Sequence, residues 1–162
     1  MKGDKKNMEC IFLDFDGIFN TTKMYNNSIY INNCGFNLHF NIKNIEDFIK
    51  IFLYCKEHNI KICMTSSNSL NKSKEDWENF ILKTFRISIL DVIVGVDSRQ
   101  DRDRGLFIED FIVDNNIKKY LIIDDDIRDI QPYHKFENIL HINKKYGITI
   151  IDMLKIKDYF EN

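Results

Sequence analysis

Apolar residues follow two rhythms along this chain, and the alternation between them predicts its fold. Short, mainly apolar runs at 8–14, 60–64, 90–96, 120–123 and 139–142 read as buried strands. Between them lie segments with helical spacing. In 42–57 the apolar positions are Ile42, Ile45, Phe48, Ile49, Phe52 and Leu53, one face of a helix that Asn59 closes in a left-handed turn. Ser73 followed by Asp76 predicts a capped helix to about residue 85, with Trp77, Phe80, Ile81 and Phe85 as its inward stripe. Residues 105–113 predict another, with Leu106, Ile108, Phe111 and Ile112 inward, and Thr149 caps a terminal helix running to 159. Segment 21–40 lacks helical periodicity; 28–32 and 36–40 predict a hairpin turning at Asn33-Cys34-Gly35. Strand and helix in this order predict an α/β domain of Rossmann-like type, a central, mostly parallel sheet flanked by helices.

Composition narrows the picture. A chain of 162 residues fits one domain, and 44% hydrophobic with 30% charged residues is ordinary for a soluble globular protein. The net charge of -2 provides no overall basic field for nucleic acid or an anionic membrane, although a local basic patch remains compatible with it. No apolar run reaches the roughly 20 residues that a membrane span requires. Residues 1–7 are polar and charged and read as a flexible lead-in, and no secretory leader is recognisable, so a cytoplasmic location is expected. The four cysteines lack metal-type spacing; Cys10 and Cys63 fall in strand-like runs and read as buried thiols of a reducing compartment. His39, His58, His134 and His141 show no ligand spacing and read as structural or surface residues.

Chemistry concentrates where strands end. The first strand stops in Asp14-Phe15-Asp16-Gly17, the second in Thr65-Ser66-Ser67-Asn68, and a later one in Asp124-Asp125-Asp126. In a parallel sheet these clusters emerge along one edge, at the carboxyl ends where such sheets bind ligands. The charged loop from Arg99 to Arg104 precedes a helix and can reach the same crevice. Each cluster by itself also reads as a solvated polar turn. Together, carboxylates, hydroxyls and an arginine fit a magnesium site handling phosphate, because Mg²⁺ takes hard oxygen ligands and shares them with substrate phosphate.

These residues resemble the haloacid dehalogenase (HAD)-like superfamily. Asp14-Phe15-Asp16-Gly17, Thr65, Arg104 and Asp124-Asp125 stand in the superfamily's motif order, and the resemblance spans nearly the whole chain. Leu-Asp-Phe-Asp-Gly-Ile-Phe-Asn from Leu13 is similar to a cap-poor group, one branch of which is the HAD domain of Swiss Army Knife RNA repair-like proteins. So are Met-Thr-Ser-Ser from Met64, Arg-Gly-Leu-Phe-Ile-Glu-Asp-Phe-Ile from Arg104 and Tyr-Leu-Ile-Ile-Asp-Asp-Asp from Tyr120. The resemblance implies Asp14 as nucleophile forming an aspartyl-phosphate and Asp16 as general acid, then base. It implies Thr65, with Ser66 and Gly17 near it, on the phosphate. Arg104 stands where the family more often has lysine, with Arg102 as the alternative for that role. For Mg²⁺ it implies Asp14, the main-chain carbonyl of Asp16, Asp125 and Asp124, with Asp129 as the alternative to Asp124.

Neither 17–60 nor 68–102 has room for a full cap domain; 21–40 offers at most a small flap. An open cleft of this kind suits a phosphorylated macromolecule, such as a nucleic-acid end or a phosphoprotein. Lys23, Tyr25 and Tyr30 are candidates to line its entrance or to cover the core edge. A small-molecule phosphatase and a non-catalytic binding domain of the same fold are the alternative readings.

Overall fold

The computed structural model of the chain describes residues 7–21, 27–99 and 103–162. Lys23, Tyr25, Arg102 and all of the lead-in but Asn7 lie outside the described residues. Among the described residues seven strands and four α-helices form in the expected order. They are β1 (Met8–Leu13), β2 (Ser28–Asn33), β3 (Phe36–Asn41), α1 (Ile42–His58), β4 (Lys61–Met64), α2 (Lys74–Phe85), β5 (Ile93–Val96), α3 (Arg104–Asp114), β6 (Ile117–Asp124), β7 (Ile139–His141) and α4 (Ile150–Glu161). Five strands make one parallel sheet in the order β5-β4-β1-β6-β7, with β1 at its centre. The chain adds β4 and β5 on one side of β1, then crosses to add β6 and β7 on the other. That reversal opens a crevice at the carboxyl end of β1, the place where open α/β sheets bind ligands.

Alternation along the central strands separates two cores. Ile11 and Leu13 of β1, Ile62 and Met64 of β4 and Leu121 and Ile123 of β6 face α1, α2 and α4. Cys10, Phe12, Cys63 and Ile122 face α3 and the segment carrying Ile127 and Ile130. The first core is aromatic. Phe48 of α1 packs on Phe19 at 5.0 Å, Phe40 at 5.2 Å and Phe52 at 4.9 Å, mostly edge to face. Phe15, in the loop after β1, meets Phe40 at 4.9 Å, so the polar turn at 14–17 is anchored by an apolar ring beneath it. Trp77 is fully buried, and its indole Nε1 donates to Ser69 Oγ at 3.1 Å, tying α2 to the loop after β4.

Local signals become structure directly. The hairpin β2-β3 turns through Cys34 and Gly35, both at positive φ, and buries Phe36, Leu38 and Phe40 against the core. Tyr30 lies on its outer face, its ring tilted against that of His39 at 4.6 Å. Asn59 ends α1 in the left-handed region, while Ser73/Asp76 and Thr149/Asp152 form reciprocal capping boxes on α2 and α4. Cys10 and Cys63 are buried thiols, joined by Cys55.

Several expectations are corrected. Leu106 is exposed, because it lies ~200° around α3 from Ile108, the residue that meets the sheet. Ile42 and Leu53 of α1 are also exposed; its buried stripe runs instead through Phe48, Ile51, Phe52 and Cys55. The strand expected at 90–96 shortens to β5, because Asp91 takes positive φ and Leu90 points to solvent. The strand at 120–123 lengthens backward to Ile117, which pairs with Met8 of β1. Asp103 caps α3, its Oδ1 accepting from the Leu106 amide at 3.0 Å, so the helix starts at Arg104 rather than at residue 105.

Phe48 is the ring through which α1 contacts the hairpin and the loop after β1. Phe48→Ala is expected to cost about 3–5 kcal/mol of stability, read as a lowered urea midpoint, since a large buried ring leaves a cavity.

Candidate active site

The site is built from the ends of three neighbouring strands. β4, β1 and β6 stop in register, and main-chain bonds carry the ladder one residue further into the polar clusters. The Asp14 amide donates to Ile123 O at 3.0 Å and the Thr65 amide to Leu13 O at 2.9 Å. Asp14 therefore stands between Thr65 on one side and Asp124-Asp125 on the other. Asp14, Thr65, Ser66 and Asp124 are all buried.

Gly17 is what lets Asp125 come close. Its φ of +75° favours a residue without a side chain, and a Cβ there would lie 2.4 Å from the Asp125 carboxyl carbon. Asp14, Asp124 and Asp125 each offer a carboxylate oxygen, all within 4.8 Å of one another. Burial pushes the Asp14 carboxyl well above the usual carboxylate range, and the charge of Asp124 adds to it. Burial pushes Asp124 up to about 6 against the pull of Arg104, and Asp125 is raised for the same primary reason. Three desolvated carboxylates that resist carrying their charge are the donor set a hard divalent cation suits.

Arg104 is the cation that the protein itself supplies. It leads α3, and its guanidinium is held on four sides. Nη1 donates to Asp124 Oδ2 at 2.7 Å and lies 3.9 Å from Asp14 Oδ2; Nε and Nη2 grip Asp129 at 3.1 and 2.8 Å; Nη2 also donates to Asp126 O at 2.6 Å. Arg104 thus meets the cluster, and Asp129 sits with Arg104 rather than in the three-carboxylate group. Asp129 is partly buried, yet its bonds to Arg104 hold it below the usual carboxylate range. Arg99, at the other end of the charged loop, lies against Asp97 and over the Phe107 ring.

Asp16 points elsewhere. Its Oδ1 accepts from Asn20 Nδ2 at 2.8 Å, and its Oδ2 accepts from Asn68 Nδ2 at 2.9 Å and Ser67 Oγ at 3.3 Å. Its carboxylate is not in the group formed by Asp14, Asp124 and Asp125. Asn20 also accepts from the Gly17 amide at 2.8 Å, which closes the turn, and Ser66 Oγ accepts from the Asn68 amide at 3.2 Å. Asn20, Ser67 and Asn68 were not singled out by sequence reasoning. The signal was there: residues 16 and 20 are four apart in a tight turn, and 65–69 is an unbroken polar run directly after a buried strand.

The family model for the HAD domain in Swiss Army Knife RNA repair proteins matches residues 10–152. Neither the curated proteins nor the solved structures provide a match to the chain. The chain belongs to that HAD family, and every strand of the sheet falls at least partly inside the match. The Asp14, Asp124 and Asp125 group fits the divalent metal of such a domain, on the ground of its oxygen donors and its unrelieved charge.

A proton and a metal ion compete for this cluster. Asp124 titrates at about 6 in the fold against an ordinary 3.8, so this group favours the metal-free fold at low pH. That contribution is lost as pH rises through about 6. Divalent cation is therefore expected to raise the melting temperature more at about pH 7.5 than at about pH 5. Gly17→Ala, which crowds Asp125 and strains the turn, is expected to shrink the metal-induced shift at the higher pH, as measured by differential scanning fluorimetry.

Proposed function

We propose that the chain is a magnesium-dependent phosphomonoesterase working through an aspartyl-phosphate on Asp14. The observation that carries this reading is the division of labour between two carboxylates one residue apart. Asp14 faces the acidic group and Arg104, while Asp16 is turned aside and held by three side chains.

In the first step an Asp14 carboxylate oxygen attacks phosphorus in line, and the bond from phosphorus to the ester oxygen breaks. Asp16 gives its proton to the departing oxygen. In the second step Asp16 takes a proton from water, the water oxygen attacks phosphorus, and the Asp14 acyl-phosphate bond breaks to release inorganic phosphate. Asn20, Ser67 and Asn68 fix where the Asp16 carboxyl sits, so one side chain serves both proton transfers. Asp14, Asp124, Asp125 and the main-chain carbonyl of Asp16 would hold Mg²⁺, which when bound offsets phosphoryl charge and favours the ionised Asp14.

Thr65 and the Ser66 amide, at the end of β4 beside Asp14, and the Gly17 turn are the groups nearest a phosphate seated on Asp14. Arg104 neutralises Asp124 and approaches Asp14 with its one remaining edge, so it acts as a fixed countercharge more than as a fork on two phosphate oxygens. Between Gly17 and Ile60 the described residues hold only the hairpin and α1, and between Asn68 and Arg104 only α2 and β5 follow the short turn at Ser67–Ser69. A crevice without a cap suits a phosphomonoester on a bulky carrier.

The test is Mg²⁺-dependent phosphate release from an aryl phosphate. Asp14→Asn is expected to lose at least about 10³-fold in rate. Asp16→Asn is expected to lose roughly 10²–10⁴-fold on an alkyl phosphate and less on an aryl phosphate, whose leaving oxygen needs less protonation. Equal rates for the parent protein and Asp14→Asn would overturn the reading.

A further inference from the structure

The carboxyl edge of the sheet carries negative charge on Asp14, Asp16, Asp124, Asp125 and Asp126, an arrangement that repels any polyanionic substrate. The arginines described along that edge do not offset it freely. Arg99 pairs with Asp97, Arg104 with Asp124 and Asp129, and Arg128 with Asp126. The loop after β7 is different. Lys144 and Lys145 are exposed, and neither makes an ion pair with a described residue.

That loop borders the acidic group directly. A recess of about 310 Å³ is lined by Asp125, His141, Ile142, Asn143 and Lys144, so a residue of the acidic cluster forms part of its lining. His141 Nε2 lies 2.9 Å from Asp125 O, which couples the floor of the recess to that residue's backbone. The rim is held in place. Tyr146 and Gly147 amides donate to Asn143 O at 2.9 Å, and the next amide, of Ile148, donates to Ile18 O at 2.9 Å in the loop after β1. Tyr146 is half exposed, and the Lys145 ammonium sits 5.5 Å from its ring centre.

We propose that this recess and rim receive the nucleotide adjoining the scissile phosphate of a single-stranded nucleic-acid end. The proposal rests on the phosphomonoesterase reading for the site itself. Adjacent lysines match the regular charge of a phosphodiester backbone, and an exposed ring beside them offers a stacking face for a base. A phosphopeptide carries no obligatory second anion next to its phosphate, so it makes no regular use of such a pair. This loop is also a local basic feature by which a chain of net charge -2 can hold a polyanion.

The test is a binding experiment on the Asp14→Asn protein with Mg²⁺, which requires no turnover and so stands apart from failure of the phosphatase reading. Fluorescence anisotropy would follow a labelled ten-nucleotide RNA ending in a 5′- or 3′-phosphate, and a labelled phosphoserine peptide. Lys144→Ala/Lys145→Ala is expected to weaken RNA binding roughly tenfold at low salt and to flatten its salt dependence, since each lost phosphate contact lowers the slope by about 0.7. A charge-matched control, Lys83→Ala/Lys118→Ala on α2 and β6, is expected to change binding less than about twofold. Loss of the Tyr146 ring in Tyr146→Ala is expected to weaken RNA binding further without altering the salt slope. Equal losses in the two double variants, no loss in either, or an equal loss for the phosphopeptide would each overturn the proposal. Circular dichroism melts confirm that the variants compared are folded.

Discussion

Like charges meeting at the ends of buried strands are the constraint on which the rest of this molecule depends. Asp14 and Asp124 stand at the ends of the neighbouring strands β1 and β6, side by side and out of water, and Asp125 leans in over Gly17. Such a group is unfavourable by itself, as the raised titration of all three carboxyls indicates. The fold tolerates it through Arg104, and the excess that Arg104 leaves is what a divalent cation and a phosphate substrate would share. The features that make the edge costly for the empty protein are those that make it suited to chemistry.

Holding that edge in place requires a stiff foundation, and the two cores provide it. Beneath the Asp14–Gly17 turn lies Phe15, wedged among Phe19, Phe40 and Phe48, so the turn cannot shift without opening an aromatic core. On the opposite face, Gly105 of α3 packs against the backbone of Asp129 and Ile130. His134 reaches the Gly105 carbonyl at 2.8 Å through Nε2 and Tyr120 through its other ring nitrogen. These contacts place the start of α3, and with it Arg104, against the segment that carries Asp129.

The two arms of the site are differently bound. On the α3 side Arg104 is held by Asp124, Asp129 and the Asp126 carbonyl, which makes it a fixed part of the scaffold. On the β7 side Lys144 and Lys145 are exposed and make no ion pair with a described residue, and Lys145 lies over the Tyr146 ring. On the proposed nucleic-acid reading, a substrate longer than a phosphomonoester would extend from the acidic group toward Lys144 and Tyr146.

Much of this was legible in the chain alone, because it is written in short spacings. Strand runs, the capping boxes at Ser73 and Thr149, the left-handed stop at Asn59 and the hairpin turn at Cys34-Gly35 depend on neighbours within about four residues. The motif order from Asp14 to Asp125 was likewise sufficient for the family. What tertiary structure decided is which of those residues touch. The choice of Asp129 as the partner of Arg104, the hold of Ser67 and Asn68 on Asp16 and the exposure of Leu106 and Leu53 depend on strand order and on where each helix settles on the sheet. Those contacts join residues 25 to more than 50 positions apart. Periodicity fixes which side of an element is apolar, but the place where that side docks, and the polar groups it carries into reach, emerge only once β1 lies between β4 and β6.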